Sequence, residues 1–138
     1  PTRASQYFYV IGYHVDHSGI NVNEQTEFYF ADRSNYQSFD EFVEELVDGC
    51  ELVDRMTVSG VTAVICLADL DEFEGSVSGS VRIITSGQAD AAVMQPIIRK
   101  VNPVIMQEVE YELQAASERE MERKDPYGYR GLSPRDFY

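Results

Sequence analysis

The residues best suited to chemistry stand together near the start of the chain, in the run His14-Val15-Asp16-His17. The spacing H-x-D is half of the facial triad in which two histidines and one carboxylate hold non-haem iron. Side chains alternate along a strand, so His14 and Asp16 would share one face and His17 would lie on the other. The chain contains only two histidines, and no distant one is left to complete the triad. The pattern therefore favours a polar strand end over a metal site.

A second candidate is the acidic stretch that begins at Asp69 and Asp71. A calcium loop of the EF-hand type needs a ligand at its fifth position and glycine at its sixth, where this chain has Phe73 and Glu74. The composition of residues 69–79 instead predicts a solvated loop.

The remaining catalytic patterns are incomplete. Glu122-Arg123-Lys124 spells the E-x-K of many nucleases, but no strand carrying a metal-binding aspartate precedes it. Val77 stands where a nucleophile elbow needs serine, and no glycine-rich phosphate loop occurs. We therefore expect no enzyme activity, no catalytic residue, no cofactor and no bound metal. An unrecognised enzyme built on the histidine run or on the carboxylates of the acidic stretch is kept as a third hypothesis.

The net charge of −13 is concentrated in one part of the sequence. Residues 16–75 hold 15 of the 24 acidic residues but only Arg33 and Arg55 among the 11 bases, whereas the rest of the chain carries nine of each. Binding to nucleic-acid backbones or anionic lipid needs lysine and arginine. We therefore expect neither a nucleic-acid backbone nor a membrane as partner, and no small-molecule substrate is evident.

The length of 138 residues fits one domain, predicted over residues 1–124 and followed by an arm at 125–138. The longest apolar run, residues 61–70, is far shorter than a membrane-spanning helix. No secretion signal is visible at the start, although one already removed is left open. Cys50 and Cys66 lack a C-x-x-C spacing, which favours reduced core cysteines and a reducing compartment, the cytoplasm or a virion.

The pattern of apolar residues predicts about five strands. Residues 6–15 and 27–31 read as a hairpin with one face exposed to solvent, joined by a polar loop at 16–23. Further strands are predicted at 52–59, at 61–70 and at 80–85, and the second of these is apolar enough to be central.

Two regions of the sequence predict helices. Ser38 and Glu41 form the capping box of a helix over residues 38–50 that stops near Gly49. Residues 88–101 predict a second helix that Pro96 breaks or kinks, and Asn102-Pro103 predicts the start of a third helix through residue 124. A strand at 104–113 is the rival reading of this last region.

The fold class expected from these elements is α+β: a mainly antiparallel sheet of about five strands with two or three helices packed on one face, and an extended C-terminal arm. We expect a structural or assembly subunit that acts through protein–protein contacts, in a homo-oligomer such as a virus or phage particle. The alternative is an acidic inhibitor or nucleic-acid mimic that binds a basic groove on a partner.

The residues predicted to bind other protein subunits fall into two groups. Those of the arm are aromatic anchors and arginines able to pair with the acidic surface of a neighbouring subunit, and those of the first helix are carboxylates on its outer face. The arm contributes Tyr127, Tyr129, Arg130, Arg135, Phe137 and Tyr138, and the helix contributes Glu41, Glu44, Glu45 and Asp48.

Overall fold

The structure is a computed structural model that describes residues 5–124, with side chains described as far as residue 121. This part of the chain forms a five-stranded antiparallel sheet and two α-helices, which confirms the α+β class. The elements are β1 Tyr7–Asp16, β2 Gly19–Asp32, α1 Phe39–Leu46, β3 Glu51–Val58, β4 Val61–Phe73, β5 Ser76–Thr85 and α2 Ala91–Lys124.

The order of strands across the sheet is β2-β1-β5-β4-β3. The most apolar strands, β4 and β5, therefore lie inside, as the sequence predicts for residues 61–70, and β2 and β3 form the two edges. Each neighbouring pair is antiparallel. The pairing of β5 with β1 brings the first hairpin beside the last strand, which no local pattern in the sequence indicates.

The two helices cover opposite faces of the sheet, so the prediction that all helices pack on one face is wrong. Interior strands carry apolar side chains on both sides: Ile65 and Ile83 face α2, whereas Val64 and Ile84 face α1. A strand that is apolar on both faces must be covered on both faces to remove those side chains from water. The continuous apolar run in β4 is therefore the sequence signal for this arrangement.

Helix α1 begins as its capping box predicts. The Ser38 hydroxyl accepts a hydrogen bond from the Glu41 backbone N–H at 3.2 Å, and the Glu41 carboxylate accepts one from the N–H of Gln37 at 2.7 Å. Phe42 and Val43 are buried against the sheet. The helix ends at Leu46, and Gly49 follows with a φ of +81° that suits the turn into β3.

Helix α2 runs through both prolines, which corrects the prediction of two separate helices and settles the region 104–113 as helix. An interior proline costs about 3 kcal/mol because it removes one backbone hydrogen bond. Here the carbonyls left without that bond belong to residues 92 and 99, which are both exposed to water. Apolar side chains at intervals of four residues continue along one face of the helix past both prolines. The buried members of this stripe are Val93, Ile97, Val101, Ile105 and Val109.

The predicted loop at residues 69–79 is wrong, because strands β4 and β5 continue through it to a two-residue turn. Glu74 and Gly75 have φ values of +53° and +82°, and positive φ at both central residues is the type I′ turn that matches the twist of a hairpin. The side chains on either side of this turn are mostly exposed. The sequence there therefore lacks the alternation of apolar and polar residues by which a half-buried strand is predicted.

Strand β2 begins at Gly19, so the predicted polar loop at 16–23 shrinks to His17 and Ser18. The face of β2 that is exposed to solvent is the one carrying Phe28 and Phe30. Glu27 lies on the opposite face, toward α1. The expectation of one exposed face is confirmed, and that face is aromatic.

Candidate protein-contact site

Four aromatic side chains form a surface at the edge of the sheet, here called the aromatic patch: Tyr7 and Tyr9 of β1, and Phe28 and Phe30 of β2. The register pairs Tyr9 with Phe30, so all four project from the same face. The ring centroids of Tyr7 and Phe30 are 4.9 Å apart, and those of Tyr9 and Phe30 are 6.0 Å apart. Phe28 and Phe30 each leave 54 % of their surface exposed. Clusters of exposed rings are typical of protein-contact sites.

Within the described part of the chain, α2 leaves the patch uncovered because it packs farther along β1. Tyr13 and Val15 are buried under the helix, whereas Tyr7 and Tyr9 remain partly exposed. Between the patch and the start of α2 lies a small recess of about 120 Å³. It is lined by Tyr9, Ile11, Phe28, Thr85, Gln88, Ala89 and Met94.

The backbone beside the patch is an open sheet edge. Residues 27–32, here called the edge segment, pair with β1 in an unbroken register, and the register shifts only beyond Gly12. No proline, lysine or arginine occurs anywhere in β2. Natural edge strands are usually protected by such residues or by irregular backbone. Among the described residues, the edge segment has neither kind of protection, so its outer backbone groups are available to another chain.

Of the two carboxylates in the edge segment, Glu27 and Asp32, Glu27 is paired with a base on the face of the sheet that α1 covers. Glu27 accepts hydrogen bonds from the Arg82 guanidinium at 2.9 and 3.3 Å, and Arg82 also donates to the Leu46 carbonyl at the end of α1. Burial alone would lower the pKa of Arg82, but the bonds to Glu27 raise it above its ordinary value. Sequence reasoning missed Arg82, although a single base in the apolar run of β5 was a usable signal.

The carboxylates predicted on α1 lie where the helix pattern places them. Glu41, Glu44, Glu45 and Asp48 are all exposed. No salt bridge among the described side chains engages any of the four. Burial, together with a hydrogen bond to Glu45, raises the pKa of the neighbouring Tyr36 hydroxyl. This is a second surface, acidic and separate from the aromatic patch.

The histidine run serves to join strands. The ring Nε2 of His17 accepts a hydrogen bond from the Val77 N–H at 2.8 Å and so joins the β1–β2 turn to the start of β5. The Asp16 carboxylate accepts two bonds from Ser18, which lower its pKa. Within residues 5–121, no three side chains of the metal-binding types stand close enough together to hold an ion.

The cysteines lie beneath α1. Cys66 is buried, and burial raises the pKa of its thiol to about 12. Cys50 is half-buried, and its Sγ donates to the Leu46 carbonyl at 3.8 Å. Both thiols are free, as predicted for reduced cysteines, although only Cys66 belongs to the core.

An open groove of about 840 Å³ lies between the tip of the β4–β5 hairpin and the last turns of α2. Phe73, on the hairpin, is 75 % exposed, and Leu113 and Ala116 line the helix side. The carboxylates of Glu72 and Glu74 lie at the hairpin side of this groove. The six predicted contact residues of the arm, from Tyr127 to Tyr138, lie outside the described residues.

The chain matches no family model, no curated protein and no solved structure. In the part of the chain that the structure describes, no helix is long and apolar enough to cross a membrane.

Proposed function

We propose that this protein works by contact with other protein subunits, as a structural or assembly component that contains several copies of this chain, and that it is not an enzyme. A virus or phage particle, or a cytoplasmic assembly, is the setting in which such a subunit would act. The observation that carries the proposal is the aromatic patch beside an unprotected sheet edge. A monomer that exposed this surface in water would gain by covering it.

We propose that the arm makes a second contact between subunits. Arg130 and Arg135 could pair with the acidic surface contributed by residues 16–75, and the arm's rings would supply buried area. The groove beside the β4–β5 hairpin suits such a segment, because its lining combines the apolar Phe73 and Leu113 with the carboxylate-bearing Glu72 and Glu74. Both contacts join subunits, and neither requires a cofactor.

Solution mass tests the proposal. We would compare the intact chain with a chain ending at Lys124 by light scattering over a range of protein and salt concentrations. Among the described residues, the two core clusters lie within residues 8–113, so the shorter chain retains all of these side chains. The proposal predicts that the intact chain assembles and that the shorter chain assembles more weakly. An intact chain that remains monomeric at every concentration would contradict it.

The acidic surface of α1 favours a second candidate, an inhibitor or nucleic-acid mimic that binds a basic groove. Exposed carboxylates at Glu44, Glu45 and Asp48 with no cationic partner among the described residues give a field suited to a basic protein. Binding to a poly-lysine probe that weakens with salt, and that is lost when these three carboxylates become amides, would support it. Binding that is unchanged in this variant would contradict the inhibitor or mimic candidate and would indicate that these carboxylates serve solubility.

A further inference from the structure

We infer that two copies of this chain pair through β2, antiparallel, about a two-fold axis at Tyr29, so that two five-stranded sheets become one sheet of ten strands. This inference rests on the proposed function and names its partner as a second copy. It uses the edge segment, whose outward backbone N–H and C=O groups face no other strand of the described sheet. A neighbouring strand would satisfy those groups directly.

Symmetry restricts the possible registers. In antiparallel pairing, side chains directly opposite each other lie on the same face, so residues i and j must have the same parity. A two-fold axis must then pass through a residue, and within the edge segment the central choices are Tyr29 and Phe30. An axis at Phe30 would put Phe28 opposite Asp32 of the partner subunit, which sets a ring against a carboxylate.

The axis at Tyr29 gives the better pairs. Phe28 then faces Phe30 of the partner subunit, and the two aromatic patches become one continuous surface across the axis. Glu27 faces Ala31 of the partner subunit, so no carboxylate lies opposite another. Aromatic cross-strand pairs each contribute roughly 0.2–1 kcal/mol relative to alanine pairs, and opposed like charges destabilise a sheet.

The distribution of charge also favours β2 over β3, the other edge strand, as the site of pairing. Although residues 16–75 carry the whole net charge, residues 28–31 of the edge segment carry no charged side chain. Glu27 is bound to Arg82, and the Asp32 carboxylate accepts bonds from Ser34 at 2.9 and 2.8 Å. The β3 edge instead holds charged side chains together with a register shift. These are Glu51, Asp54 and Arg55.

The available area predicts a weak dimer. A fully buried aromatic side chain covers roughly 150–250 Å². Four phenylalanines, each with about half its surface available, therefore supply on the order of 400 Å². Stable interfaces bury about 1,200 Å² or more in total. The paired backbone edges and the tyrosines must provide the rest, together with the contacts proposed above for the arm. Association through β2 should therefore depend on concentration and be strengthened by the arm.

Cysteine trapping in the full-length chain tests the register. Three variants would be oxidised under the same conditions in a Cys50→Ser background: Phe28→Cys, Tyr29→Cys and Phe30→Cys. Only a residue on the axis meets its own copy, at the distance a disulfide needs. We expect a disulfide-linked dimer from Tyr29→Cys and none from Phe28→Cys or Phe30→Cys. Trapping at Phe28 or Phe30 in place of Tyr29 overturns the proposed axis.

Hydrogen exchange of the unmodified chain gives an independent test, which holds even if a cysteine variant fails to fold. Pairing predicts that amide protection in residues 27–31 rises with protein concentration, whereas protection in β3 does not. A protein that assembles by light scattering without this rise refutes pairing through β2 and leaves the proposed function standing. A protein that never assembles refutes the proposed function itself.

Discussion

Replacing Arg82 by methionine should destabilise the fold and disturb the edge segment at the same time. Arg82 joins three elements, since it lies on β5 and bonds both Glu27 of β2 and the carbonyl of Leu46 in α1. Methionine keeps much of the side-chain volume but removes every donor. Glu27 would then be a half-buried carboxylate without its partner, next to the free edge of the sheet.

The structure sets the size of the effect. Breaking a fully buried ion pair costs about 3–5 kcal/mol. Here each side chain retains 29 % exposure, so solvent screens part of the interaction, and we expect Arg82→Met to lower the free energy of unfolding by about 2–3 kcal/mol. Arg55→Met is the matched control, because Arg55 binds Asp40 at a similar 2.8 Å while the two side chains are 50 % and 65 % exposed. That change should cost about 0–1 kcal/mol.

Urea unfolding followed by far-ultraviolet circular dichroism measures both variants. A double variant, Arg82→Met with Glu27→Gln, should recover part of the loss, since the amide no longer leaves a charge without a partner. Equal losses for Arg82→Met and Arg55→Met would refute the reasoning that burial makes the Arg82 pair the stronger one.

Three further predictions concern single positions. Burial and the nearby charge of Glu51 raise the pKa of Glu108, so the folded chain binds this proton more tightly and loses stability as pH rises through and above about 4.5. Glu108→Gln should therefore stabilise the protein at neutral pH, and the gain should vanish below pH 4 in thermal unfolding. Gly19 has a φ of +97°, and an added Cβ would lie 2.4 Å from the Asn102 side-chain oxygen; Gly19→Ala should cost about 2–4 kcal/mol by urea unfolding. A thiol reagent at pH 8 should modify one cysteine in the folded chain, and Cys66 should react only after denaturation; rapid reaction of both thiols would contradict its burial.

Local signals in the sequence predicted the elements that depend on local bonds. The capping box at Ser38 and Glu41 located the start of α1, and the alternation around Phe28 located the second half of β2. These features depend on residues only a few positions apart. A strand with one exposed face at residues 27–31 could therefore be expected before any tertiary structure was known, whereas the position of β2 at the edge of the sheet could not.

Elements that depend on distant contacts could not be predicted in this way. Pro96 reads as a helix break, and only the stripe that α2 buries against the sheet shows why the helix continues. The same holds for the patch, since the exposure of Phe28 follows from where α2 lies on β1. Arg82 acquires its role only when β5 is placed between β1 and β4, so that Glu27 and the end of α1 come within reach.

The most direct test of the central claim is the solution mass of the intact chain as its concentration is raised, beside that of a Phe28→Ser/Phe30→Ser variant. Tyr111→Ser, which removes another ring that is 72 % exposed, serves as the control. The account predicts that the intact chain and the control rise above the monomer mass of 15.7 kDa together, while the double variant assembles at higher concentration or not at all. A mass of 15.7 kDa for the intact chain at every concentration, or identical curves for all three proteins, would contradict it.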